Sequence, residues 1–69
     1  MIIKNTQGFK YFNDSKLGNI YILKRKNGYC LSKHQSLASL DDILELNGEY
    51  WFSLKEIKNI LKSDYQLNY

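Results

Sequence analysis

Residues 44–65, LELNGEYWFSLKEIKNILKSDY, carry the strongest structural signals of the chain. This stretch contains the dipeptide Asn47-Gly48, and both residue types tolerate the positive φ that a tight hairpin turn requires. The densest aromatic run of the chain follows at residues 50–52, and aromatic side chains favour strands. The remainder has apolar residues at helical spacing. The stretch therefore predicts a turn, an aromatic strand and a helix, in that order.

The predicted helix covers residues 54–63 and has a complete N-terminal signature. Ser53 can accept a hydrogen bond from the backbone N–H of Glu56, whose carboxylate can accept one from the backbone N–H of Ser53, which makes a capping box. Phe52 and Ile57 have the spacing of the hydrophobic staple that accompanies this box. The apolar stripe that must pack on a sheet consists of Leu54, Ile57, Ile60, Leu61 and Tyr65.

A β-hairpin is the clearest feature of the first half of the chain. Residues 20–26 and 29–33 flank a second turn dipeptide, Asn27-Gly28, which predicts a two-residue type I′ loop with Lys24 opposite Leu31. Strand alternation then places Ile20, Ile22, Lys24, Tyr29 and Leu31 on one face and Tyr21, Leu23, Arg25, Cys30 and Ser32 on the other. Residues 9–12 are expected to pair antiparallel with residues 20–23, and residues 1–4 to form an edge strand.

Residues 40–46 allow two interpretations. As a short helix, Ser39 is the N-cap, Asp41 and Asp42 favour the positive end of the helix dipole, and Gly48 ends the segment. As a hairpin, residues 43–46 pair with residues 49–52 across Asn47-Gly48. The helix is preferred by a narrow margin, and the strand at 49–52 is expected in either case.

The expected architecture is α+β in a single small globular domain, residues 1–69. A small antiparallel sheet of three to five strands carries the C-terminal helix on one face, with a possible short second helix at 40–46. Residues 66–69 are expected to be frayed.

Composition excludes several classes of protein. With 43% hydrophobic and 25% charged residues the chain is globular rather than disordered, and no apolar run approaches a membrane span. The N-terminus is too short and polar for a signal peptide, which favours a cytoplasmic location. A single cysteine, Cys30, excludes an intramolecular disulfide and is expected to be a small buried hydrophobe.

No set of residues predicts catalysis, a metal site or a cofactor. His34 is the only imidazole, and its polar surroundings in the sequence supply no fixed acidic partner, so an exposed loop histidine is the simpler interpretation. Asp41 and Asp42 are adjacent and diverge on either a helix or a strand. A chain of 69 residues also has little interior for an active-site pocket. We therefore expect a protein that is not an enzyme.

Binding to another protein is the expected function. Ten aromatic residues exceed what so small a core readily holds, and exposed Tyr and Trp are favoured interface anchors. Tyr50, Trp51 and Tyr65 are the candidate protein-binding residues. Small size and surplus aromatics suggest a phage or mobile-element accessory or inhibitory protein that acts on a host macromolecular complex. Self-association is a further possibility, because a small core gains from added burial.

Nucleic-acid binding is the alternative. The net charge of +3 permits contact with DNA or RNA without requiring it. The candidate phosphate-binding residues are Lys24, Arg25, Lys26 and Lys33.

Part of the stretch at 44–65 resembles a known family. Residues 47–57, NGEYWFSLKEI, followed by Ile60-Leu61, are similar to the tight turn, Trp-Phe strand and helix of phage and large-virus antirepressor N-terminal domains, the BRO-N family. The resemblance covers about a third of the chain, and Glu56-Ile57 stands where the family usually has Asp-Val. It implies DNA binding or transcriptional regulation.

Overall fold

The computed structural model describes residues 3–6, 8–36 and 39–69. Within these ranges, four strands form an antiparallel sheet in the order β1-β2-β3-β4, and one α-helix follows. The elements are β1 (Lys4–Thr6), β2 (Phe9–Asp14), β3 (Gly18–Arg25), β4 (Gly28–Ser32) and α1 (Leu54–Tyr65). The α+β class, the antiparallel sheet and the C-terminal helix are confirmed.

The first strands pair much as their alternation predicts. Phe12 lies opposite Ile20 in the β2–β3 ladder, which confirms the antiparallel pairing of these two segments. β1 is an edge strand, but it covers Lys4–Thr6 rather than residues 1–4. The start of the predicted strand, residues 1–2, lies outside the described residues.

The β3–β4 hairpin has a different register from the predicted one. Lys24 lies opposite Tyr29, not Leu31, and the turn is formed by Lys26 and Asn27. Asn27 does not adopt the positive φ of a type I′ turn, whereas Gly28 does, with φ +120°. The register differs by two residues, so every side chain keeps its predicted face.

The helix predicted over residues 40–46 is wrong beyond its first turn. Ser39 does act as a cap, because its Oγ accepts from the backbone N–H of Asp41 at 3.1 Å, but only the 3₁₀ turn Leu40–Asp42 follows. The chain then becomes extended and pairs with β4: the Leu44 N–H donates to the Leu31 carbonyl at 2.8 Å. A helix this short is marginal by itself, and the open edge of β4 offers better hydrogen bonds.

The segment at 43–52 pairs with the outer edge of β4 at two separate points and does not form a continuous strand. Isolated bridges join Ser32 to Ile43 and Tyr29 to Phe52, and the chain between them turns at Asn47-Gly48. Asn47 and Gly48 have φ of 53° and 80°, as in a type I′ turn. The predicted hairpin is therefore present at its turn, where only Leu46 and Glu49 pair. The predicted strand at 49–52 is reduced to these bridges.

The capping box of α1 is confirmed. Ser53 Oγ accepts from the Glu56 N–H at 3.1 Å, and Glu56 Oε1 accepts from the Ser53 N–H at 3.0 Å. Phe52 and Ile57 are buried in the same cluster, as the staple requires. Leu54 remains 40% exposed and does not belong to the buried stripe.

The end of the chain is ordered rather than frayed. Gln66 adopts the left-handed conformation, with φ 57°, and Leu67 turns back onto the helix. The Leu67 N–H donates to the Leu61 carbonyl at 2.9 Å, and the Leu67 side chain is 2% exposed. A left-handed residue that ends a helix commonly directs the next apolar residue back against the last turns, and Leu67 packs in this way.

The sheet separates two hydrophobic clusters. The helix-side cluster contains Phe12, Ile20, Ile22, Leu31, Phe52, Ile57, Leu61 and Leu67. The smaller cluster on the opposite face contains Leu23, Cys30 and Ile43. Cys30 is fully buried, as predicted. The helix covers one face of the sheet, and the other face is left to side chains from the loops and strands themselves.

Candidate functional site

The face of the sheet opposite the helix carries a group of aromatic side chains that we call the aromatic face. It consists of Phe9, Tyr11, Tyr21, Tyr50 and Trp51, all of them half-buried. Phe9 and Tyr11 are two residues apart on β2, and Tyr11 lies opposite Tyr21 of β3, so strand alternation brings the three together. The rings of Tyr11 and Tyr21 have centroids 5.2 Å apart, and those of Phe9 and Tyr21 are 6.3 Å apart, edge to face.

Tyr50 and Trp51 reach this face because of the bridge at Phe52. Phe52 lies opposite Tyr29, and hydrogen bonds of 2.8 Å in both directions join their backbones. The Phe52 side chain points to the helix side, and Trp51, one residue earlier, packs on the other cluster with Tyr50. Both rings pack against the smaller cluster and remain partly exposed.

Tyr65 lies on the opposite side of the sheet from the other two predicted protein-binding residues. Its ring packs on Phe12 with centroids 4.7 Å apart, within the helix-side cluster. Burial, assisted by the charges of Asp14 and Asp64, raises the pKa of Tyr65. Tyr50, Trp51 and Tyr65 therefore do not form a common surface.

The predicted phosphate-binding cations occupy the two ends of β4. Lys24, Arg25 and Lys26 are exposed at the tip of the hairpin, and Lys33 follows the last residue of β4. At ~3.3 Å per residue, Lys33 is roughly 17 Å from the tip. In the described part of the chain, none of these four side chains forms an ion pair.

A shallow cavity of about 700 Å³ adjoins the aromatic face at Tyr21. Its rim holds the one ion pair found among the described residues, between His34 Nε2 and Asp42 Oδ1 at 3.5 Å. Sequence spacing offered no signal for this pair, because pairing of the segment at 42–44 with β4 brings Asp42 to His34. His34 is 67% exposed, and two groups without a third do not make a catalytic constellation.

Two further features of the molecule bear on function. Within the described ranges, no three His, Cys, Asp or Glu side chains lie close enough together to hold a metal ion. The described helices are too short and too polar to span a bilayer.

Three members of the aromatic face, Phe9, Tyr11 and Tyr21, were not among the protein-binding residues predicted from sequence. The signal was present: in the run Phe9-Lys10-Tyr11-Phe12, alternation separates Phe9 and Tyr11 from the buried Phe12. Tertiary packing determines which face of the sheet the helix covers. The alternation of residues therefore did not identify which aromatic side chains remain exposed.

Comparison with protein-family models, curated proteins and solved structures gave no match to this chain. The resemblance of residues 47–57 to BRO-N domains stays a prediction.

Proposed function

We propose that this chain is a small protein-binding module that recognises its partner through the aromatic face. The observation that carries this proposal is the asymmetry of the sheet. The helix covers one face, whereas the other presents five half-exposed aromatic rings over a cluster of only three buried residues. Rigid, amphipathic Tyr and Trp side chains supply much of the binding energy in protein interfaces.

The proposed mode of action is steric rather than catalytic. The aromatic rings are held by neighbouring strands and by the Phe52 bridge, so little side-chain entropy is lost on association. The finer form of the proposal is an accessory or inhibitory protein of a phage or mobile element that acts on a host complex in the cytoplasm. Small size and the aromatic surplus support it.

Paired variants on the two faces of the sheet test this proposal. The face variant combines Tyr11→Thr with Tyr50→Ser, and the control Tyr69→Ser removes a half-buried ring on the helix side. Tagged wild type and variants are incubated with host lysate, and retained proteins are identified by mass spectrometry. Binding of each purified candidate is then measured by calorimetry. We expect a partner that the face variant binds about 30-fold or more weakly, as for interface hot spots of ~2 kcal/mol or more.

The controls for this experiment are folding and specificity. Circular dichroism and thermal melts establish that each variant is folded before it is compared. The proposal is wrong if no purified protein distinguishes the face variant from the Tyr69→Ser control.

Nucleic-acid binding is the second candidate, because Arg25 shares the face of Tyr21 and Leu23 and lies at the exposed hairpin tip. Aromatic rings flanked by cations are the platform on which single-stranded nucleic acids stack. Affinity for an oligonucleotide that falls steeply with added salt would support this candidate. Absence of binding at low salt would exclude it.

A further inference from the structure

A second surface lies on the helix side of the sheet, away from the aromatic face. It is a groove of about 250 Å³ between the Asn47-Gly48 hairpin and α1. Its floor is apolar and consists of Leu46, Phe52 and Ile60, all of which belong to the helix-side cluster. The volume is below the ~300–1,000 Å³ of typical small-molecule sites, so the groove suits a single side chain better than a cofactor.

The walls of the groove carry hydrogen-bond acceptors from two elements. Asn47 and Glu49 come from the hairpin, and Glu56 and Asn59 come from the helix, where residues three apart lie on one face. All four of these side chains are exposed at the rim. The groove therefore combines an apolar floor with carboxylate and carboxamide oxygens above it.

Charge at the groove is opposite to that of the whole molecule. The chain has a net charge of +3, yet both ionisable residues that line the groove are glutamates. Glu56 Oε1 accepts from the Ser53 N–H at 3.0 Å, and the Ser53 hydrogen bonds lower the pKa of this carboxyl. Neither Glu49 nor Glu56 forms an ion pair with any residue that the structure describes.

We propose that this groove receives an arginine side chain presented by a protein partner. The aliphatic stem would lie on Leu46, Phe52 and Ile60, as long cationic side chains do on apolar surface. The guanidinium group would lie between Glu49 and Glu56. Arginine fits better than lysine because its planar group has five donors for several separate acceptors, whereas an ammonium is a compact point charge.

Two small probes of the same shape, one charged and one neutral, test whether binding in the groove depends on the charge of arginine. ¹⁵N-labelled protein is titrated with N-acetyl-arginine methylamide and with the citrulline analogue, which has the same length and planarity without the charge. We expect chemical-shift changes to concentrate at the residues that line the groove. We also expect the arginine probe to bind roughly two- to fivefold more tightly for each carboxylate it contacts, as is usual for exposed ion pairs.

Charge-neutralising variants test the same contacts from the side of the protein. Glu56→Gln keeps the capping box, since glutamine serves at that position as well, and Glu49→Gln is isosteric. Each substitution should weaken arginine binding by roughly two- to fivefold without changing the fold seen in the spectrum. Glu45→Gln is the matched control, because Glu45 is exposed and does not line the groove.

Three results would overturn this assignment. The first is equal binding of the arginine and citrulline probes, and the second is a set of shift changes centred elsewhere on the protein. The third is arginine binding that both groove variants leave unchanged.

Discussion

At Gly28, the backbone of the hairpin lies close to the backbone of Phe52. A Cβ atom at this position would lie 2.7 Å from the carbonyl oxygen of Phe52, a distance that real Cβ contacts essentially never show. The same oxygen accepts the Tyr29 N–H at 2.8 Å, so it cannot retreat without loss of that hydrogen bond. Glycine is therefore required both by its φ of +120° and by the approach of the Phe52 backbone.

Replacement of Gly28 should show the combined effect of this contact and of backbone strain. Gly28→Ala is expected to destabilise the protein by about 2–4 kcal/mol, because positive φ strain and a backbone clash add together. Gly18→Ala is the comparison variant, since its φ is also positive, +82°, but its Cβ would meet nothing within 4 Å, and we expect about 1 kcal/mol. Urea unfolding followed by circular dichroism gives both values. Equal losses would show that the Phe52 contact does not limit this position.

The C-terminal helix depends on an element that follows it. Leu67 is 2% exposed and packs into the helix-side cluster with Leu61, whose carbonyl accepts the Leu67 N–H. The left-handed turn at Gln66 directs it there. The last residues thus cover part of the helix-side cluster. Tyr69 adds an edge-to-face contact with Tyr29, with ring centroids 6.4 Å apart.

Truncation of the Leu67 side chain should lower the free energy of unfolding as much as truncation of a residue in the middle of the core. Leu67→Ala is expected to lower the free energy of unfolding by about 2–4 kcal/mol through lost burial and the cavity left behind. The control Leu54→Ala makes the same chemical change at a helix position that is 40% exposed, and we expect less than about 1 kcal/mol. Thermal or urea unfolding measures both. Similar values for the two variants would mean that the chain beyond α1 contributes little.

At the scale of the whole molecule, the sheet lies between the helix and the aromatic face, and Cys30 of β4 belongs to the smaller cluster beneath the aromatic face. Its thiol is fully buried, and burial raises its pKa more than the nearby charge of Arg25 lowers it. A thiol in this position can react only after the residues that cover it move away. We expect this to require unfolding of the domain, so that the reactivity of Cys30 reports the opening of the fold.

The labelling rate of Cys30 should follow the unfolded population. For a domain of this size, stability of about 3–10 kcal/mol predicts reaction with a disulfide reagent at least about 100-fold slower than in the unfolded chain. The rate should rise with urea along the unfolding curve. A Cys30→Ala, Ser63→Cys variant provides an exposed thiol for comparison. Labelling of native Cys30 as fast as this control would contradict the layered arrangement.

The local features of this protein follow from its amino-acid sequence. The capping box at Ser53 and Glu56, the turn at Asn47-Gly48 and the faces of the β3–β4 hairpin depend on interactions within a few residues. Such interactions have the same geometry in any fold that contains them. The predicted register of the hairpin differs from the observed one by two residues, and every side chain therefore lies on its expected face.

Segments with weak local preferences take their conformation from tertiary contacts. Residues 43–46 are extended because the edge of β4 was open to them, and Leu67 is ordered because the core had room for it. The same long-range pairing separates Tyr50 and Trp51 from Tyr65 and brings Asp42 to His34. These outcomes depend on contacts between residues that are distant in sequence. A local pattern of side chains carries no information about the free energy of such contacts.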